Sequence, residues 1–186
     1  MKGISKKNIL LIEDNQGDIR LIKEMLNEIY SFKYQLVTAI TLKQGLEEIK
    51  MYQKDIVLIL LDLNLPDSKG KHTFDAIKEK AKKIPIVLVS ELRNIDLSIA
   101  LLKEGAQDYI SKQDMNSTLL EKTISYAIER ENLFFKLSQE TNLLQISNSN
   151  YIGRELKMID LKKEVNDLLI KSGQKERYVI VPQNSD

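Results

Sequence analysis

Residues 56–62 read Ile56-Val57-Leu58-Ile59-Leu60-Leu61-Asp62. Six apolar side chains follow one another without a break, and a carboxylate closes the run. A helix needs more length than this, and a strand with one wet face alternates apolar with polar. The run therefore reads as a strand buried on both faces, as in a parallel sheet. Asp62 then stands where a central strand leaves the core. In open parallel sheets, ligands bind outside the carboxyl ends of the strands. The polar residues that end the other apolar runs are the ones to compare with it.

Working outward, Ile9-Leu10-Leu11-Ile12 is a second short run, and it ends in Glu13-Asp14. Asn15-Gln16-Gly17-Asp18 turns the chain. Ile19, Ile22, Met25, Leu26 and Ile29 then recur at helical spacing. Residues 34–39 form the next strand, and Thr41-Leu42-Lys43-Gln44 is a capping box that opens a helix carrying Leu46 and Ile49. After the 56–61 strand, Leu65-Pro66-Asp67-Ser68-Lys69-Gly70 has loop chemistry. Phe74, Ile77 and Ala81 mark a third helix. Pro85 precedes Ile86-Val87-Leu88-Val89, which ends at Ser90; a proline is tolerated at a strand's first residue. Residues 95–103 form a fourth helix stopped by Gly105. Asp108-Tyr109-Ile110 is a short fifth strand ending in Ser111-Lys112, and a fifth helix starts near Asp114. Five strands alternating with five helices imply an α/β doubly wound fold, a five-stranded parallel sheet with helices on both faces.

Helical spacing continues past residue 130 through Phe134 and Leu137. Ser147-Asn148-Ser149-Asn150 predicts a polar break, because these residues favour turns over helix interiors. Met158, Leu161, Val165 and Leu168 then define a second tail helix over about 153–171, closed by Ser172-Gly173. The expected organisation is one domain over residues 1–130 and a helical tail over 131–186, suited to dimerising or docking. Pro182-Gln183-Asn184-Ser185-Asp186 is expected to fray.

The chain has 186 residues, 42% hydrophobic and 30% charged, with a net charge of +1. That suits a domain of roughly 100–150 residues plus an appendage. The charge balance leaves no basic footprint for nucleic acid or anionic lipid. Cysteine is absent, which excludes disulfides and thiolate metal sites. No apolar run reaches the roughly 18–20 residues that span a bilayer. The first residues lack a small-residue cleavage site, so no signal peptide is read and the cytoplasm is the expected location.

Polar residues end four of the strands: Glu13 and Asp14, Asp62, Ser90, and Lys112. The strand order 2-1-3-4-5, taken over from flavodoxin-like sheets rather than from this sequence, sets the first and third strands side by side at a crevice. Three neighbouring carboxylates repel unless a cation joins them, and Mg²⁺ is a hard ion that takes such oxygen ligands. An ionised Asp62 beside a metal and Lys112 suits attack on phosphorus, giving an aspartyl phosphate. Lys112 would neutralise charge on the transferring group, and Ser90 offers it a hydroxyl. Each residue alone has a plainer role: helix or turn cap for the acids, surface lysine for Lys112, half-buried strand aromatic for Tyr109. The joint pattern on consecutive strand ends is what caps do not explain.

Here the sequence resembles the CheY-like receiver domain of two-component response regulators. Leu11-Ile-Glu-Asp14, Leu61-Asp-Leu-Asn-Leu-Pro66, Val87-Leu-Val-Ser90 and Tyr109-Ile-Ser-Lys112 carry the likeness, over roughly residues 6–130. The resemblance implies phosphoryl transfer to Asp62 from a histidine kinase or phosphotransfer protein. It implies that Glu13, Asp14, Asp62 and the Asn64 carbonyl organise Mg²⁺, and that Ser90 and Tyr109 act as switch residues. Self-phosphorylation from a phosphodonor and autodephosphorylation are implied as well. Two positions depart from the family pattern. Gln113 replaces the common proline after the lysine, so a trans bond is expected there. Glu91 replaces the usual small residue after the switch hydroxyl. The only histidine, His72, lacks kinase-type flanking residues.

Residues 129–186 hold nine basic and nine acidic side chains, so no DNA-binding output is expected from them. Residues 154–173 are similar to helical tails of some modular sensory proteins, which implies no activity. The expected output is phosphorylation-dependent protein contact with an unnamed downstream target. Two alternatives stand beside it. One is a phosphatase-like enzyme with an aspartate nucleophile, for which the sequence shows no cap insertion to select a substrate and no second acid placed as a general acid. The other is a non-phosphorylated scaffold, which Glu91 favours.

Overall fold

A computed structural model of the chain describes residues 7–30, 34–91 and 95–180. The expectations for residues 1–6 and 182–186 lie outside the described residues. In chain order the elements are β1 (Asn8–Ile12), α1 (Gln16–Glu28), β2 (Gln35–Ala39), α2 (Leu42–Tyr52), β3 (Ile56–Leu61), β4 (Asn64–Leu65), β5 (Ser68–Lys69), α3 (Lys71–Ala81), β6 (Ile86–Ser90), α4 (Ile95–Lys103), β7 (Asp108–Ser111) and α5 (Ser117–Lys171). The main sheet runs β2-β1-β3-β6-β7, and every pair is parallel. Counted among themselves, these five strands follow the expected order 2-1-3-4-5. The fold is the doubly wound, flavodoxin-like one.

Alternation along the strands feeds two cores. Leu10 and Ile12 of β1, with Ile59 and Leu61 of β3, join Ile49, Phe74, Ile77 and Leu101 on one face. Ile9 and Leu11, with Leu58 and Leu60, join Ile22, Leu120 and Ile124 on the other. Both faces of β3 are therefore apolar because both are covered, which is the physical reason its sequence does not alternate. Hydrogen bonds between neighbouring strands carry past the strand ends. The Asp62 N–H donates to the Ile12 carbonyl, the Glu13 N–H to the Ala39 carbonyl and the Lys112 N–H to the Ser90 carbonyl, each at 2.9 Å. The ladders thus fix the residues that leave the sheet on this edge.

The β4–β5 hairpin is a departure from the sequence reading, which makes residues 65–70 a loop. Two-residue strands carry too short a pattern to be read. Its register pairs Asn64 with Lys69 and Leu65 with Ser68, leaving Pro66-Asp67 at the turn. From there Asp67 reaches α2: its Oδ1 accepts the Leu42 N–H at 2.8 Å and its Oδ2 the Lys43 N–H at 3.0 Å. Thr41 Oγ1 takes the Gln44 N–H at 3.1 Å, and Gln44 Oε1 accepts from the Ile40 N–H at 2.9 Å. Three of the helix's orphan donors are thereby satisfied. Loss of water is the largest single influence on the Asp67 carboxyl and raises it, but the Lys43 and Leu42 N–H groups together outweigh it and hold the carboxyl below its ordinary range.

The chain divides into two compact units, Met1–Phe134 and Phe135–Asp186. Helix α5 begins at Ser117 rather than near Asp114, because the Asn116 side chain caps it by accepting the Leu119 N–H at 2.9 Å. It then runs to Lys171 without the break predicted at residues 147–150, so no separate helix starts near 153. The polar side chains turn back onto the helix instead of competing with it. Ser149 Oγ donates to the Gln145 carbonyl and Thr141 Oγ1 to the Leu137 carbonyl, both at 2.9 Å. The helix ends as predicted at Gly173, whose φ of 78° is the left-handed value that favours glycine. The Gln174 N–H donates to the Leu169 carbonyl and the Gly173 N–H to that of Ile170, closing the last turn. The chain then returns along the helix. The buried Asn166 side chain accepts the Arg177 and Tyr178 N–H groups at 3.0 Å and donates to the Tyr178 carbonyl at 2.7 Å.

Removing the Asp67 carboxylate frees two helix donors and unties the hairpin from α2. Asp67→Ala should lower unfolding free energy by about 1 kcal/mol in urea titrations, with Asp67→Asn losing less. Equal stability of all three proteins would show that this cap is idle.

Candidate functional site

Strand β1 ends in Glu13 and Asp14, and the next residue caps α1. The Asn15 side chain accepts the Gly17 N–H at 2.8 Å and the Asp18 N–H at 3.4 Å. This starts the helix at the sheet edge and sets Asp18 in its first turn. From β3 comes Asp62, only 5% exposed. Its Oδ1 accepts the Asn64 N–H at 2.9 Å. From β7 comes Lys112, whose Nζ lies 2.6 Å from Asp62 Oδ2, 2.7 Å from Glu13 Oε2 and 2.8 Å from Asp18 Oδ2. Towards Asp62 and Asp18 these are directed hydrogen bonds. Towards Glu13 Oε2 the contact is one of charge, and that buried oxygen receives no directed bond. Glu13 Oε1 accepts the Asn15 N–H at 3.1 Å.

Carboxylate oxygens of Glu13, Asp14 and Asp62 lie within 4.8 Å of one another. With Asp18, four acids gather at this edge, and three of them, Glu13, Asp18 and Asp62, share one ammonium. Burial, the largest influence on Glu13, raises its pKa; the adjacent ammonium pulls it down, the Asp62 charge adds to the rise, and the group is pushed up to about 7. Burial works to lower Lys112, but the adjacent Asp18, Asp62 and Glu13 carboxylates prevail and hold it above its ordinary value. The ammonium stays charged, and the acids carry the surplus. An all-oxygen set with a buried acceptor lacking a directed donor, and with Asp14 exposed at its mouth, fits a hard divalent cation.

The structure thus brings together Glu13, Asp14, Asp62 and Lys112. The remaining sequence-predicted residues make other contacts. Asn64 is exposed and meets Asp62 through its backbone N–H. Ser90 is buried at the end of β6, and its hydroxyl donates to the Glu91 carbonyl at 3.2 Å. Tyr109 stands opposite Leu88 and packs against the core that contains Phe74; its hydroxyl is buried without a hydrogen-bond partner. The bond before Gln113 is trans, as expected, and Glu91 is exposed. Asp18 was missed, being read only as part of a turn. The signal was an N-cap asparagine directly after two strand-end acids, which folds the helix's third residue back towards the sheet edge.

Residues 9–124 match the family model of the response regulator receiver domain. The chain is 34% identical over 111 residues to the regulatory protein LuxO of Vibrio cholerae, covering 60% of this chain and 22% of that protein. It spans between 22% and 53% of the length of the curated relatives it matches. A receiver domain structure from Clostridium thermocellum is similar at a TM-score of 0.61 and 24% identity, covering 69% of this chain and 98% of that one. The Mn²⁺-bound form of response regulator Rcp1 is similar at a TM-score of 0.53 and 28% identity, over 64% of this chain and 90% of that one. No helix among the described residues is long and apolar enough to cross a membrane.

Glu13 holds its proton more tightly folded than unfolded. Its contribution to stability is therefore whole below its ordinary value of 4.5 and is lost as pH rises through about 7. In metal-free buffer, the Tm of the unaltered protein minus that of Glu13→Gln should fall across this window. A pH-independent difference would contradict the assignment.

Proposed function

Because the chain belongs to the response regulator receiver domain family, a component of two-component signalling, we propose that Asp62 accepts a phosphoryl group from a histidine kinase or phosphotransfer protein in a Mg²⁺-dependent reaction. The observation that carries this reading is the single ammonium held against Asp62 among the surrounding acids. The Asn64 N–H holds one Asp62 oxygen and Lys112 the other, so the carboxylate is oriented before a donor arrives. An Asp62 oxygen attacks phosphorus, the new O–P bond forms, and the bond to the donor imidazole breaks with its electron pair leaving on nitrogen. Lys112 supplies positive charge beside the acceptor as phosphoryl charge arrives. Glu13, Asp14, Asp62 and the Asn64 carbonyl would hold Mg²⁺, which when bound neutralises charge on phosphoryl oxygens. The Mn²⁺-bound relative supports a divalent ion at such a site. Ser90 and Tyr109 would report the change, Ser90 by leaving the Glu91 carbonyl for the phosphoryl group and Tyr109 through its half-buried ring. The cytoplasm is the proposed place of work.

The proposed receiver occupies residues 1–130, and residues 131–186 serve contact with a second copy or a downstream protein. Leu137, Leu144, Tyr151, Met158 and Val165 recur every seven residues along α5, and all are exposed. A strict seven-residue apolar repeat is the pattern of a left-handed helix pair.

Labelling by a small phosphodonor in Mg²⁺ should vanish in Asp62→Asn and slow by roughly 100-fold in Lys112→Met. Label retained on another residue in Asp62→Asn would defeat the acceptor assignment. Light scattering should give twice the chain mass with beryllium fluoride, a phosphoryl mimic, and Leu144→Lys should return it to one chain. A single-chain mass in every state would refute self-association.

A further inference from the structure

The peptide unit between Leu63 and Asn64 is rigid and planar. Its N–H, on Asn64, holds Asp62 Oδ1 at 2.9 Å. Its carbonyl, on Leu63, accepts from the Gly70 N–H at 2.7 Å and from Thr73 Oγ1 at 3.1 Å. Thr73 is fully buried in the first turn of α3. Its hydroxyl also lies 2.8 Å from Ser68 Oγ, and Ser68 Oγ lies 2.9 Å from His72 Nδ1. Resting on the reading of Asp62 as acceptor, we propose that Thr73 and Ser68 are positioning residues: with His72 they form a hydroxyl chain that fixes the peptide plane orienting the Asp62 carboxylate.

Proton counting gives the chain a direction. Thr73 has one hydroxyl proton and two acceptors in reach, the Leu63 carbonyl and Ser68 Oγ. If His72 carries its proton on Nε2, Ser68 donates outward to Nδ1, and a Thr73 proton given to Ser68 leaves the Leu63 carbonyl with the Gly70 N–H alone. If His72 carries it on Nδ1, the imidazole donates to Ser68, Ser68 to Thr73, and Thr73 to Leu63. Every hydroxyl then donates once and accepts once, so the proposed chain takes the Nδ1–H tautomer, with Ser68 donating to Thr73. A plane held by two donors on its carbonyl side cannot rotate without breaking the bond to Asp62 on its N–H side. The buried hydroxyl thus acts on the acceptor through one covalent unit, without touching it.

The test pairs Thr73→Val, which keeps the shape and removes the hydroxyl, with Thr73→Ser, which restores it. Mg²⁺ affinity by calorimetry should weaken about 10-fold in Thr73→Val, as for other outer partners of metal ligands, and return in Thr73→Ser. Phosphodonor labelling of Asp62 should slow in parallel. His72 is the only histidine in the chain, so its ¹⁵N imidazole spectrum is unambiguous. It should show the Nδ1–H tautomer, and Ser68→Ala should shift it towards Nε2–H. Unchanged Mg²⁺ affinity and labelling in Thr73→Val, or an Nε2–H tautomer in the unaltered protein, would overturn the proposal. Thermal midpoints in metal-free buffer identify a variant that fails to fold; Ser68→Ala, nearer the surface, then carries the affinity and labelling comparison. Labelling that persists in Asp62→Asn would instead unseat the acceptor reading.

Discussion

One ammonium group stands among carboxylates from three separate segments, and the edge of the sheet is arranged to make that possible. Lys112 follows β7, two strands away from β3 and roughly 10 Å from it at ordinary strand spacing. A long cationic side chain must cross that gap to meet Asp62, Glu13 and Asp18 at 2.6–2.8 Å. Taken away, it would leave acids confined together with little water to screen them, a situation far costlier than losing a surface ion pair. The parallel ladders align the strand ends, the Asn15 cap delivers Asp18, and the Asn64 N–H steadies Asp62. Fold and site therefore answer to the same electrostatic demand.

Much of this was legible in the sequence because burial on both faces leaves a plain mark. Residues 56–61 do not alternate since neither face of β3 is wet, and the acids after Ile12 and Leu61 mark where each strand leaves the core. What escaped depends on contacts that local pattern does not encode. Asp18 joins the site across 94 residues of sequence, through its bond to Lys112. The β4–β5 hairpin is fixed by Asp67 binding α2, 25 residues earlier. Residues 147–150 carry turn-forming side chains, yet Ser149 spends its hydroxyl on the carbonyl four residues back and the helix continues. The orphaned Tyr109 hydroxyl is likewise a matter of packing, invisible in composition.

The Tyr109 hydroxyl and the second Glu13 oxygen have something in common. Each is a buried polar atom without a directed hydrogen bond, a condition most folded chains avoid. One lies at the acidic edge and the other on the β7 side of the core below it. Glu13 Oε2 keeps its ion pair with Lys112, but the Tyr109 hydroxyl has no partner, so a rearrangement that supplies one recovers a cost already incurred.

The unbroken greasiness of β3 carries a hazard of alignment. A strand with alternating faces resists sliding along its neighbours, since a one-residue shift would turn its apolar side outward. With apolar groups on both faces, β3 has no such safeguard over its own length. What remains is the charged stop at its end: sliding inward by one place would drag the Asp62 carboxylate between the two oily layers, away from its ammonium. The same side chain that is proposed to carry the signal therefore also acts as the detent that seats the strand.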